Sequence, residues 1–489
     1  MQVVKKSGFF LVASALMGLS VQIAQAENFT GIAGNNIPFS TQQPSLALTN
    51  FIQTTGIYPA RESPFSVGEA VLGSIRTFAG NFAPGSVAAN GQLFSISSNT
   101  ALFSLLGTNF GGNGINNFAL PDLRGKTMIG SGAGPGLSNR AVGEQVGSAT
   151  NSMTIAQLPV HTHTDSGAGN LDFGPAGGGQ PINNMQPSLG VSYVIALDGY
   201  FPQPGVGGTD GPFVGQVSAF AGNFAPGGYA FADGSVLSIA DNISLFSVIG
   251  TTYGGDGANT FALPDLRGRT IIGAGQGLGL TLHNIGDVVG AEQVTLNQQQ
   301  MPIHTHTVVP NFSNTNPAGG ILNQNGLSTS AVQPIDNMQP SLALNYLIAT
   351  QGIYPSRDGG VAGETLLGEV TAFAGNYAPG GWAFADGRLL SIAQNQALFS
   401  LLGTSFGGDG RLTFALPDLR GRIIVGAEGS YNLGQTNGTE KTSLNPANLA
   451  SHQHSITTVP LPQTFTLMLA GLGVFGVLAQ RRKQNAVTA

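Results

Sequence analysis

The chain has 489 residues, a formal net charge of −6 at pH 7, 9% charged residues and no cysteine. Glycine (73) and proline (27) make up about a fifth of it, which argues against long surface helices and for short strands, turns and loops. With 41% hydrophobic residues the chain can bury a core and is not disordered; lacking a basic excess it is not expected to bind nucleic acid, and without disulfides it must be held by packing, oligomerisation or metal.

The N-terminal stretch "MQVVKKSGFFLVASALMGLSVQIAQA" joins Lys5 and Lys6 to an apolar run from Phe9 to Val21 and an A-x-A site at Ala24 and Ala26. This predicts a signal peptide over 1–26 and a mature chain that begins near Glu27. Residues 27–72 form a leading segment with the block "QPSLALTNFIQTTGIYPAR" (43–61). The block returns as "NMQPSLGVSYVIALDGYFP" (184–202) and "NMQPSLALNYLIATQGIYPSR" (337–357). Its apolar residues alternate imperfectly, which predicts a buried strand rather than an amphipathic one.

Three repeated units follow, at 73–165, 215–308 and 368–457. The linkers between them, 166–214 and 309–367, carry the second and third blocks. Each unit opens with "FAGNFAPG" or "FAGNYAPG", starting at Phe78, Phe220 and Phe373. The Asn-Gly or Asp-Gly pair in "NGQLFSI", "DGSVLSI" and "DGRLLSI" predicts a β-hairpin turn. "ALFSLLG" reads as a two-turn helix, capped by Ser98 or Asn99, stopped by Gly107, and facing Leu102, Phe103, Leu105 and Leu106 to the core.

"FALPDLRG" then occurs at 118–125, 261–268 and 414–421. Phe118, Leu120 and Leu123 are expected as core anchors. Pro121, Asp122 and Arg124, with Pro264, Asp265 and Arg267 and with Pro417, Asp418 and Arg420, read as a fold-holding motif rather than a catalytic one. The acid pairs with the arginine, and a partly buried arginine can satisfy backbone carbonyls. "TMIGSG", "TIIGAG" and "IIVGAE" predict one more short strand in each unit.

Six of the seven histidines stand in pairs: His161 and His163, His304 and His306, His452 and His454. In an extended strand, residues two apart face the same way, so each pair presents two imidazoles together. Two nitrogens do not complete a transition-metal site; three such pairs would supply an octahedron suited to Fe²⁺ or another divalent ion. Polar strand residues with ordinary hydrogen bonds are the other reading. His283 has no such partner and reads as a loop residue.

The C-terminal stretch "VPLPQTFTLMLAGLGVFGVLAQRRK" begins with Val459, Pro460 and Pro462, continues in an apolar run, and closes with Arg481, Arg482 and Lys483. Positive charge after an apolar run holds that end in the cytoplasm. The segment resembles the PEP-CTERM sorting signal, with Leu461 in place of the glutamate of the commonest form. The resemblance implies a transient anchor over 458–489 in the inner membrane of a Gram-negative bacterium. An exosortase-type enzyme would remove it and deliver the protein to the cell surface or extracellular matrix.

"FAGNYAPGGWAFADGRLLSIAQNQALFSLLGTSFGGDGRLTFALPDLRGR" (373–422), with its downstream histidine pair and the 337–357 block, resembles the phage tail collar domain family. Microcystin-dependent bacterial proteins and the collar of phage short tail fibres belong to that family. The resemblance covers roughly residues 43–457 in three copies. It implies an α+β, β-rich fold of three tandem small units, each with short strands or hairpins and one short helix, joined by long Gly/Asn-rich loops. In stand-alone members the QPSL block follows the histidine pair. Residues 43–61 would then end a unit whose beginning is missing, and the third unit would be truncated.

The resemblance also implies trimeric assembly and a metal role for the six paired histidines, with one divalent ion (Fe or Zn) per chain. A flexible span of some 50 residues covers roughly 35–45 Å, enough for the three units to close about one axis as a pseudo-trimer; a homotrimer and extended beads are the alternatives. The expected function is a secreted structural or adhesion protein. The alternative is recognition of a surface glycan or receptor through the variable segments 164–183 and 307–336, where no aromatic cluster stands to stack on a sugar. No HExxH motif, serine elbow or carboxylate pair near the histidines favours an enzyme.

Overall fold

The computed structural model describes residues 28–458 apart from 30–31, 36, 61–69, 81–86, 162, 166–170, 174, 204–210, 302–303, 308–320, 325–334, 356–363 and 428–430. The expected signal peptide with Ala24 and Ala26, and the tail with Val459, Pro460, Pro462, Arg481 and Arg482, lie outside the described residues, as does most of 307–336. Among the described residues no helix is long and apolar enough to cross a membrane.

Among the described residues the fold is β-rich with three short α-helices, one per unit: Thr100–Leu106, Ile243–Ile249 and Gln396–Leu402. Each spans two turns because apolar residues recur at helical spacing and a glycine with φ near 55° ends it. The first buries Leu102, Leu105 and Leu106. Its Phe103 lies with its ring 5.5 Å from that of Phe118, and the same pair recurs as Phe246 with Phe261 and Phe399 with Phe414. Asn99 does not cap the helix through its side chain; the amide donates instead to the Ser95 carbonyl at 3.0 Å.

Three kinds of strand join the units. Lead strands Ser74–Phe78, Gln216–Phe220 and Glu369–Phe373 pair in a closed triangle, with Ala219 opposite Ile75, Val217 opposite Ala372 and Val370 opposite Thr77. Block strands Ser45–Ile52, Ser188–Ala196 and Ser341–Ala349 are buried almost without a break. Seam strands Thr127–Gly130, Thr270–Gly273 and Ile423–Gly426 are wholly buried.

Every block strand ties two units together. Its first half runs parallel to one unit's seam strand, with Ser188 against Thr127, Ser341 against Thr270 and Ser45 against Ile423. Its second half runs antiparallel to the next unit's lead strand, with Ser192 against Phe220, Asn345 against Phe373 and Thr49 against Phe78. The leading block therefore supplies the strand that the third unit lacks. Far from ending a missing unit, it closes a ring, and the third unit is completed from the N-terminal side of the chain. Asn28–Phe29 likewise pairs with Ile456 and Ser455. The segments 166–214 and 309–367 contribute two of the three longest strands among the described residues and are more than spacers.

The Asn-Gly and Asp-Gly turns do not form hairpins. Tyr229–Phe231 pairs with a block strand, while Val236–Ser238, just past the turn, pairs with Thr260–Ala262. The turn is bridged to the PDLR segment instead, at Asn90 with Asp122, Asp233 with Asp265 and Asp386 with Asp418. Non-local pairing outcompetes the local fold-back, so the turn hands the chain from one sheet to another.

The repeated "FALPDLRG" serves both inside and between units. Phe118, Leu120 and Leu123 are buried to 0%, 0% and 1% exposure, each contributing about 1.5–3 kcal/mol of apolar burial. The end of the motif docks on the neighbouring unit's seam glycine. Gly130 accepts from Gly268 N at 2.8 Å and donates to the Arg269 carbonyl at 2.9 Å, and Gly273 does the same with Gly421 and Arg422. Gly426 repeats it with Gly125 and Lys126, both at 3.0 Å. A Cβ on any of the three glycines would stand 1.9 Å from a leucine carbonyl of the next unit, so no other residue fits there.

Asp122 holds Arg124 in two bonds of 2.9 and 3.0 Å, and the other two units repeat both distances. A reach to backbone carbonyls is made by the next basic residue: Arg269 donates to the Asp265 carbonyl at 3.2 Å and Arg422 to the Asp418 carbonyl at 3.3 Å.

Candidate metal centre

The histidine pairs lie at the end of the ring where a second small core forms. That core takes equivalent residues from each unit: Met153, Leu296 and Leu444; Leu158, Met301 and Leu449; and Phe39, Ile182 and Ile335. One turn of 3₁₀ helix precedes each pair, at Ile155–Gln157, Gln298–Gln300 and Pro446–Asn448. Capping boxes at Thr154 with Gln157 and at Asn445 with Asn448 fix two of these turns. The turns anchor the chain just before it enters the histidine strands.

All six paired histidines are buried, and one potential ligand nitrogen from each lies within 4.8 Å of all the others. His452 Nε2 stands 3.2 Å from Nε2 of His161, 3.1 Å from that of His304 and 3.3 Å from that of His306. Octahedral bonds of about 2.1 Å place adjacent nitrogens about 3 Å apart and opposite ones about 4.2 Å apart. The observed cage is close to that size.

The donor chemistry fits a cation as well. Nδ1 of His161 faces the Pro159 carbonyl at 3.0 Å and Nδ1 of His452 faces the Ala450 carbonyl at 2.8 Å. Each carbonyl takes the Nδ1 proton, which leaves Nε2 with its lone pair toward the centre. Neither ring nitrogen of His163 has a hydrogen-bond partner, although the residue is 3% exposed.

Burial, reinforced by the neighbouring imidazoles, pushes His161 down to about 4 and His163 to about 2. His452 is lowered too, chiefly by burial. Neutral imidazole is the form that binds metal.

Two features of this site escape the sequence reading. His452 exchanges both backbone bonds with Ala33 at 3.0 and 2.9 Å, as His161 does with Ala176 at 2.9 and 3.0 Å. Ala33 and Ala176 each stand ten residues before a block glutamine, Gln43 and Gln186; that equal spacing is the signal that marks the leading segment as part of the site. His283 is no isolated loop residue. It is buried, bridges to Gly275, and holds Nε2 3.7 Å from the Glu440 carboxylate of the third unit. It occupies the place that Arg140 takes opposite Glu292 between the first two units.

Phage Tail Collar Domain matches cover residues 73–128, 215–271 and 368–424, and a PEP-CTERM protein-sorting motif matches 458–483. No curated protein and no solved structure matches the chain. The chain thus carries three collar domains and an exosortase sorting motif that marks it for export. The collar matches end before each histidine pair, so the case for a metal at the histidine cluster rests on its geometry.

Proposed function

We propose that this protein is an exported, exosortase-processed structural element, in which one chain closes three collar domains into a pseudo-trimer locked by a single divalent metal. The observation that carries this reading is the meeting of His161, His163, His304, His306, His452 and His454 within 4.8 Å. The metal would tie all three units together through bonds that water and salt do not screen. Imidazole ligands suit Fe²⁺, Zn²⁺ and their neighbours, and six-fold coordination favours Fe²⁺ over Zn²⁺, which prefers four ligands.

The role is non-catalytic. Six imidazoles saturate the ion and leave no open position for substrate or water. The low charge and sorting motif fit a protein that ends at the cell surface or in its matrix, where it would serve adhesion or assembly. The signal peptide at 1–26 starts this route, and the 458–489 tail anchors the chain until it is cut.

The test is to fractionate producing cells with and without their exosortase, shave intact cells with protease, and measure metal in the purified protein. The reading expects a tail-less, protease-accessible product with one transition metal per chain. A product that keeps its tail and stays inside the cell, or one free of metal, would contradict it.

A further inference from the structure

One glutamine stands before each block strand: Gln43, Gln186 and Gln339, each followed by Pro and Ser. They are buried to 0%, 5% and 0% exposure and bond to one another in a closed cycle. The backbone N–H of Gln43 donates to Oε1 of Gln186 at 3.2 Å, that of Gln186 to Oε1 of Gln339 at 3.2 Å, and that of Gln339 to Oε1 of Gln43 at 2.9 Å. Such a cycle encircles the axis of the ring. It also fixes which end of each amide is which, because a backbone donor requires the oxygen.

The nitrogen ends remain. Nε2 of Gln43, of Gln186 and of Gln339 are buried without any hydrogen-bond partner. A buried amide N–H left unmatched is costly and uncommon; three of them at equivalent positions call for one shared acceptor. Amide nitrogens have no lone pair to offer a cation. Among the described residues the one other side chain bonded to these amides is Ser188, whose hydroxyl donates to Gln339 Oε1 at 3.4 Å. The set therefore consists of neutral donors with no carboxylate bonded among them, which is the chemistry of an anion site.

We propose that the three amide nitrogens form a buried site for a small monovalent anion of the halide class on the pseudo-three-fold axis. A halide accepts from several donors without directional demand, and it suits a site whose walls are at most 5% exposed. The site is distinct from the histidine cage: the second core, with Phe39, Ile182 and Ile335 four residues upstream of the glutamines, belongs to the histidine end. Bound anion would clamp the three block strands where they enter the ring.

The test uses the protein crystallised from sodium bromide, with diffraction recorded at the bromine edge. An anomalous peak equidistant from the three Nε2 atoms is expected. At constant ionic strength the thermal midpoint should also be higher in chloride or bromide than in gluconate, and should climb with halide concentration. Gln339→Met, close in size, should lose both the peak and the halide dependence. Ordered water or closed protein packing at that point in the bromide crystals overturns the proposal, and the anomalous map decides where the two measurements differ.

Discussion

Two of the ring's seams join units that follow one another along the chain; the third joins the last unit to the first. All three share the parallel block ladder and the glycine contact, yet their polar side-chain pairs sit in different places. Between the first and second units the pair is at the rim, with Arg140 bonded to Glu292 at 2.5 Å. Between the second and third, Glu440 accepts from Thr281 N at 2.8 Å and faces His283 at 3.7 Å. At the closing seam the equivalent rim residues are Tyr431 and Ala149, and Tyr431 bonds the Gln42 amide.

The charge there has moved to the lead strands. Arg76 and Glu369 form a two-bond pair between lead strands, with side chains 14% and 8% exposed, against 13% and 17% for Arg140 and Glu292. Arg76 also donates to the Glu364 carbonyl at 3.0 Å and lies 5.8 Å from the Phe51 ring centre. A buried pair adds little net stability but penalises wrong registers. Consecutive units are brought together by the chain itself; the closing seam must find its partner, and we expect the Arg76–Glu369 pair to penalise other registers there.

The harshest way to break this difference is to delete residues 28–60. Ile423–Gly426 would lose its parallel partner and the first lead strand its antiparallel one. We expect the third unit to unfold while the second stays protected, read by hydrogen exchange and limited proteolysis. Next comes Glu369→Gln, which leaves Arg76 buried without its counter-charge and should cost about 3–5 kcal/mol in denaturant unfolding.

The repeats, the core phenylalanines and the histidine pairs were legible because each is a local pattern copied three times. Ring closure was not, because Ser45–Ile52 finds Ile423–Gly426 across almost the whole chain and no local pattern records which seam strand a block will choose. The Asp-Gly turns misled for a related reason: Gly234 adopts a φ of 75° that suits a hairpin equally well, and only the bridge from Asp233 to Asp265 decides against it. The histidine cage stood halfway. Alternation put each histidine pair on one face, but the meeting of three pairs depends on the ring.

Acid should act on all seams at once, since the histidines come from every unit. His161, His163 and His452 have lowered pKa values in the folded chain, so the unfolded state binds protons first as pH falls below about 6.5. Stability present above that pH is lost progressively toward pH 4, on the order of 1–2 kcal/mol from His161 alone by pH 5. Thermal melts of chelator-treated protein between pH 7.5 and 4.5 check the sign, and metal release on acidification runs the same way. The mildest change, Glu292→Gln in a consecutive seam, leaves Arg140 its bond to Glu144 at 3.1 Å and should cost about 1–2 kcal/mol. If it costs as much as Glu369→Gln, the contrast between the seams is wrong.

Native mass spectrometry of the processed protein, with and without a chelator, tests the central claim most directly. A closed ring predicts a single chain carrying one metal that the chelator removes. A trimer of chains carrying three metals would place each cage between molecules and contradict the ring, and a metal-free monomer would leave the six histidines without the role assigned to them.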